Sequence, residues 1–238
     1  MCGRYTSTTT MNDLAGIFEA EEVRTDPLPP RYNVAPTLEV YAVAVREGHR
    51  ALGTFRWGLV PSWAKDPSIG NKMINARAEG IESKPAYRAA LARRRCIIPA
   101  DYFYEWQRRS GPDGKAAGKL PYAIHRRDGE PMAFAGLWEV WRDPGDPDAP
   151  LLKTCVIVTG EANDLMAPIH DRMPVVLGRD SWQAWLDPST DADEARRLLV
   201  PAPSEWFEAF PVSSRVNNVR HEGPDLLEPL DPPPGVRS

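Results

Sequence analysis

Cysteine is scarce: Cys2, Cys96 and Cys155 are the three in 238 residues, and no two form a CxxC pair. An odd, scattered set excludes a disulfide framework and lacks zinc-ligand spacing. His49, His125, His170 and His221 never fall in an HxxxH pattern, and there is no P-loop and no GxGxxG. Neither a metal nor a cofactor is expected. No stretch approaches the ~18 uninterrupted apolar residues of a membrane span. The opening MCGRYTSTTT is polar, unlike a signal peptide. These absences point to a cytoplasmic protein with no membrane partner.

Proline is abundant, with 25 residues, about twice the usual ~5%. Proline interrupts helices and central strands, which excludes a helical bundle or coiled coil. The hydrophobic fraction of 42% still supplies a sizeable core. Thr10 is positioned to cap a helix over 11–20, and Ser83 one over 84–95 with arginines 93 to 95 in its last turn. The proline-rich stretch 24–37 reads as an irregular loop. Alternating apolar residues predict strands over 38–47 and 51–60, turning at Gly48. Further strands are expected near 96–99, 102–107, 152–159, 174–177 and 206–212, with a helical turn near 161–166 and helices over 179–186 and 190–199. Asp128-Gly129, between 121–127 and 131–138, is a type I′ hairpin signal. Cys96 and Cys155 fall in apolar runs and read as buried strand residues. Short strands with scattered helices predict an α+β fold, mainly antiparallel sheet and barrel-like, with short helices packed around it. One domain over 1–222 is expected, as a monomer, followed by a disordered tail over 223–238.

Net charge is −4, but it is unevenly spread. Residues 1–127 carry 20 Lys+Arg against 13 Asp+Glu, whereas 128–238 carry 9 against 20. This asymmetry fits either a basic face for a polyanion or two halves that pair in the fold. Arginine outnumbers lysine 23 to 6, and guanidinium forks suit phosphate.

Cys2 stands out chemically. Removal of Met1 would give it a free α-amine beside its thiol, two nucleophiles active near neutral pH. A 1,2-aminothiol condenses with an aldehyde to an imine, which the thiol closes to a five-membered thiazolidine. Alternatively, the thiol is an acyl-transfer nucleophile with the amine as its base. Three polar residues in apolar contexts are candidates to assist. Asn75 lies in NKMINARAE and can orient the new N-terminus. Glu105, among the aromatics of DYFYEWQ, is a candidate general acid or base. His170, in APIHDRMPVVL, is a candidate proton shuttle.

Seven segments in order carry a family likeness: MCGRY, RYNVAP (31–36), WGLVPSW (57–63), INARAE (74–79), IIPADYFYEW (97–106), IHDRMPVVL (169–177) and VSSRVNNV (212–219). Together they resemble the SOS response-associated peptidase (SRAP) family of abasic-site-processing proteins, in its compact bacterial form. The resemblance implies that the N-terminal cysteine cross-links, as a thiazolidine, to the ring-opened aldehyde of an abasic site in single-stranded DNA, including junctions. It implies catalytic roles for Cys2, Asn75, Glu105 and His170. It assigns DNA contacts to Arg4, Arg77 and Arg172, and a wedge between bases to Trp63 and Pro36. One departure is Ala64, where some members carry a second tryptophan.

Two other functions use the same cysteine. One is a peptidase built on Cys2 and His170, of which self-removal of Met1 is the one-turnover case. The other is an N-terminal-nucleophile glutamine amidotransferase, which also begins Met-Cys-Gly. SGPDG (110–114) echoes that family, but the usual His-Arg before it is missing.

Overall fold

The computed structural model describes residues 2–110 and 116–230. The strands are β1 (Tyr5–Ser7), β2 (Glu22–Val23), β3 (Arg31–Val34), β4 (Glu39–Arg46), β5 (His49–Trp57), β6 (Asn75–Arg77) and β7 (Arg95–Ala100). They continue as β8 (Tyr102–Ser110), β9 (Ala116–Arg126), β10 (Met132–Trp141), β11 (Leu152–Glu161), β12 (Arg172–Pro174) and β13 (Phe207–Pro211). Four short α-helices, α1 (Met11–Ile17), α2 (Pro85–Arg93), α3 (Trp182–Leu186) and α4 (Ala192–Arg197), lie between them. Only the pairs β11–β5, β11–β6 and β2–β5 are parallel among the described strands. The fold is α+β and mainly antiparallel, as expected from sequence.

Five strands close a barrel in the order β5-β4-β7-β10-β11. Thr154 beside Arg56 and Cys155 beside Trp57 bring β11 back to β5. Small residues permit the tight curl: Ala42 faces Gly53, and Cys96 faces both Ala44 and Gly136. A Cβ at Gly136 would sit 2.9 Å from Cys96 Sγ, closer than a packed core tolerates. Strand alternation sends Trp57, Cys96, Phe134 and Ile157 to one face, and Val43, Leu52, Ile97 and Val156 to the other. The second set packs on Leu14, Leu91 and Trp185 from α1, α2 and α3.

A second sheet, in the order β13-β9-β8-β1-β3, covers the first set through Tyr5, Phe103, Ile124 and Phe207. The Tyr5 ring stands edge-on to Trp57 at 5.3 Å and to Phe134 at 6.1 Å. Burying a ring of this size contributes about 1.5–3 kcal/mol, so these contacts fix β1, and Cys2 with it, against the barrel. Cys96 and Cys155 are fully buried strand residues.

Four local expectations need correction. Asp128-Gly129 does not close a hairpin: β9 pairs with β8 and β13, whereas β10 pairs with β7 and β11. The turn hands the chain from one sheet to the other. Asp128 shapes it by accepting from Arg126 Nε at 2.9 Å and from the Glu130 amide at 3.1 Å. The stretch 24–37 contains β3, an edge strand that pairs only with β1 among the described strands. An edge tolerates flanking prolines. Ser83 does not cap α2; its hydroxyl donates to Gly80 O, and Pro85 opens the helix. Arg95 instead serves the far end of α2 from β7, donating to Leu91 O and Ala92 O. Finally, the chain stays in the fold beyond 222. Leu226 is fully buried with Tyr104 and Val216, and the Leu230 amide donates to Pro211 O. Residues 231–238 lie outside the described residues.

Candidate active site

Cys2 precedes β1 and is fully buried. The pairing of β1 with β8 places it: Tyr5 faces Phe103, and the Tyr104 amide donates to Arg4 O at 3.0 Å. Glu105, two residues beyond Phe103 on the same face of β8, is 2% exposed. Burial pushes the Cys2 thiol well above the usual thiol range, and the neighbouring Glu105 charge pushes it further the same way. The aromatics beside Glu105 in sequence do not enclose it. The two-residue period turns Tyr102, Tyr104 and Trp106 to the opposite face, where they pack with Phe210 and Val216.

Asn75 opens β6, a short strand laid parallel to β11 with Asn75 beside Ile157 and Arg77 beside Thr159. Asn75 Nδ2 donates to the carbonyl oxygen of Cys2 at 2.7 Å. Asn75 Oδ1 is buried with no hydrogen-bond partner among the described residues, as is Thr159 Oγ1. Such acceptors are uncommon in folded proteins and call for an explanation.

His170 ends a run of turns after β11, its amide donating to Met166 O at 2.8 Å. Its Nδ1 meets two groups: the Arg172 amide at 3.0 Å and the Asp171 carboxylate at 2.9 Å. The two make opposite demands. A backbone amide can only donate, so in the neutral ring Nδ1 accepts and the proton rests on Nε2. Asp171, its side chain 88% exposed, pairs with the ring as an acceptor only when Nδ1 carries a proton.

The arginines differ sharply. Arg77 is exposed. Arg172 is held bidentately by Glu79 at 2.8 and 2.7 Å, and also donates to Thr159 O. Arg4 donates to Asn33 Oδ1, Val216 O and Asn217 O, tying β1 to the segment 214–217. It is built into the structure as well as lying beside the site.

Trp63 is 62% exposed, on a loop drawn tight at its base. The Leu59 amide donates to Met73 O, and Gly58 and Gly70 meet so closely that a Cβ on Gly58 would lie 2.5 Å from Gly70 O. Ala64 is buried against Val60 and Trp141, and its carbonyl accepts from Trp141 Nε1 at 2.7 Å. Position 64 thus faces inward here and has no room for an exposed ring. Pro36 is half-buried and precedes Thr37, whose amide donates to Trp57 O at 2.8 Å. The Trp57 indole donates to Ile74 O at 2.9 Å. One tryptophan therefore anchors the neighbours of both Pro36 and Asn75.

The family model described as SOS response associated peptidase (SRAP) matches residues 1–219. This chain belongs to the SRAP family. Its relatives include abasic site processing protein YoqW of Bacillus subtilis, 43% identical over 231 residues, covering 96% of this chain and 99% of that one. Abasic site processing protein YedK of Escherichia coli is 30% identical over 236 residues, covering 97% and 100%. A crystal structure of a Bacteroides thetaiotaomicron protein matches with a TM-score of 0.83 at 24% identity, over 96% of this chain and 100% of that one, and shows the same fold.

In this SRAP chain, Asn75 and Glu105 come to Cys2, and Arg77 and Arg172 follow on the strands flanking β11. Trp63 stands on a separate cluster built around Trp141. Sequence reading missed Glu79, Gln107 and Thr159. Glu79 lies inside the INARAE segment, and Gln107 follows Glu105 by one strand period. Nothing local marks Thr159, which acquires its place only through the β6–β11 pairing. Of SGPDG, only Ser110 is among the described residues. Among the described residues, no helix is long and apolar enough to cross a membrane, and no group of three or more His, Cys, Asp or Glu is arranged to hold a metal.

Proposed function

We propose that this protein processes abasic sites in single-stranded DNA by capturing them covalently through Cys2, once hydrolysis has removed Met1. The observation that carries the reading is the hydrogen bond from Asn75 Nδ2 to Cys2 O, with the buried Glu105 close enough for its charge to act on the Cys2 thiol. It is supported by the relatives named abasic site processing proteins. The site holds a residue that becomes a 1,2-aminothiol, and an aldehyde is the partner such a group selects.

The closed abasic sugar opens when an acid, the His170 imidazolium or the Glu105 carboxyl, gives a proton to the ring oxygen and its conjugate base takes the proton of the C1′ hydroxyl, leaving the aldehyde. The Cys2 α-amine attacks C1′, and water leaves to give the imine. The Cys2 sulfur then bonds to C1′ while the thiol proton passes to nitrogen. One water is released overall. Asn75 Oδ1, the buried acceptor, takes a hydrogen from the α-amine and aims its lone pair. Arg77, Arg172 and the outward N–H groups of Arg4 hold the phosphates. Trp63 and Pro36 separate the neighbouring bases, Trp63 by stacking.

The test is incubation with single-stranded abasic DNA followed by heat and denaturant. A stable protein–DNA band is expected from the wild type and none from Cys2→Ala. Equal bands from both would remove Cys2 from the reaction.

A further inference from the structure

Glu105 and His170 lie on different elements, β8 and the turns after β11. In the reaction proposed above both are placed to serve one sugar, so the spacing between them matters. A β-strand repeats its facing every second residue, so Gln107 points to the same side of β8 as Glu105. Its Nε2 donates to Pro168 O at 3.0 Å, two residues before His170. Its Oε1 is reached by the Tyr122 hydroxyl at 3.5 Å, and Tyr122 is the residue opposite Glu105 on β9. The other end of the His170 turn is pinned independently. Asn163 Oδ1 accepts from the Met166 amide at 3.0 Å, and Asn163 Nδ2 donates to Ala202 O at 2.9 Å. The turn is therefore clamped at its base by Asn163 and at its His170 end by Gln107.

We infer that Gln107 is a positioning residue, which through its hydrogen bond to Pro168 O holds the His170 turn at a fixed distance from Glu105. The inference rests on the proposed function only for what that spacing serves. The hydrogen bond is from side chain to backbone, so it depends on Gln107 as a donor and not on the identity of Pro168. Gln107→Leu keeps the bulk and removes the donor. Gln107→Glu keeps the shape but sets a carboxylate against a carbonyl oxygen.

The experiment measures the cross-linking rate and the non-covalent affinity separately, the latter with single-stranded DNA carrying a tetrahydrofuran abasic analogue. Both variants are expected to cross-link at least tenfold more slowly while affinity for the analogue stays within twofold. His170→Ala is expected to cost less than threefold in the Gln107→Leu background, although it costs more than tenfold alone, because the clamp and the imidazole act as one unit. The His170 ring resonances, followed by NMR, are expected to shift and broaden in Gln107→Leu. Additive losses, or an equal loss of analogue affinity, would overturn the inference and make Gln107 an independent group or a DNA contact. If the wild type fails to capture abasic DNA, the proposed function falls while the NMR arm still decides. Unchanged His170 resonances in Gln107→Leu then refute the clamp.

Discussion

Asn75 Nδ2 reaches the carbonyl oxygen of Cys2 across 2.7 Å, joining residues 73 positions apart in the chain. The bond forms because β6 lies parallel to β11 while β1 packs on the barrel from the second sheet. It fixes the backbone of the residue whose amine and thiol both meet one carbon in the proposed capture. Losing a buried hydrogen bond costs about 1–3 kcal/mol, equivalent to about 5–150-fold in rate if felt fully in the transition state. Asn75→Ala is therefore expected to slow cross-linking by about that range in single-turnover assays. Asn75→Asp is expected to do no better, since a carboxylate cannot donate to the Cys2 carbonyl.

The pH dependence follows from the buried thiols. Burial raises the thiols of Cys2, Cys96 and Cys155 from an ordinary value of 9.0. Above that value the unfolded chain loses these protons while the folded chain keeps them. Their contribution to stability is thus complete below about pH 9 and falls as pH rises further. Urea midpoints are expected to be level from pH 7 to about 8.5, then to decline. The decline should flatten in Cys96→Ala. In the folded protein at pH 8, alkylation of Cys96 and Cys155 by iodoacetamide is expected to be far slower than in urea, as read by mass spectrometry.

Two arginines assigned to the same DNA face should behave differently. Arg4 supports three acceptors, so Arg4→Ala is expected to cost about 1.5–3 kcal/mol of stability as well as DNA affinity. Arg77 is exposed, and Arg77→Ala should leave stability within about 0.5 kcal/mol. Its effect is on affinity, with the dependence of log K on log salt becoming shallower by about 0.7. Paired thermal melts and salt titrations check both. A melt for Arg4→Ala that matched the wild type would make that network unimportant.

Trp63 and the loop that bears it separate in the same way. Trp63→Ala should melt like the wild type yet lose about 1–3 kcal/mol of single-strand affinity. Gly70→Ala should lower the melting temperature, because its Cβ would lie 2.6 Å from Gly58 O, a backbone atom that cannot turn aside. Normal stability in Gly70→Ala would show that the loop adapts.

Much of this was legible in the sequence where local rules decide. Thr10 accepts from the Asp13 amide at the start of α1, and the alternating runs around Gly48 became β4 and β5. Asn75, Glu105 and His170 stand out as polar residues in apolar contexts, and Cys2 as the residue that loss of Met1 would expose. What could not be read was set by partners distant in sequence. Asp128-Gly129 looks the same whether its strands pair with each other or with two different sheets. Arg4 and Arg172 are both arginines beside the site, but Asn33 with Val216, and Glu79, determine how far each is free. The aromatics around Glu105 misled because sequence neighbours on a strand face opposite ways.

The central claim is that one carbon of the abasic sugar becomes bonded to both the nitrogen and the sulfur of Cys2. The most direct measurement is the intact mass of the adduct with abasic single-stranded DNA, followed by peptide mapping, without any reducing agent. The expected mass is that of the protein lacking Met1 plus the oligonucleotide minus one water, with the linkage on Cys2 and its thiol no longer alkylatable. An adduct that retains Met1, maps to another residue or leaves the Cys2 thiol free would contradict it.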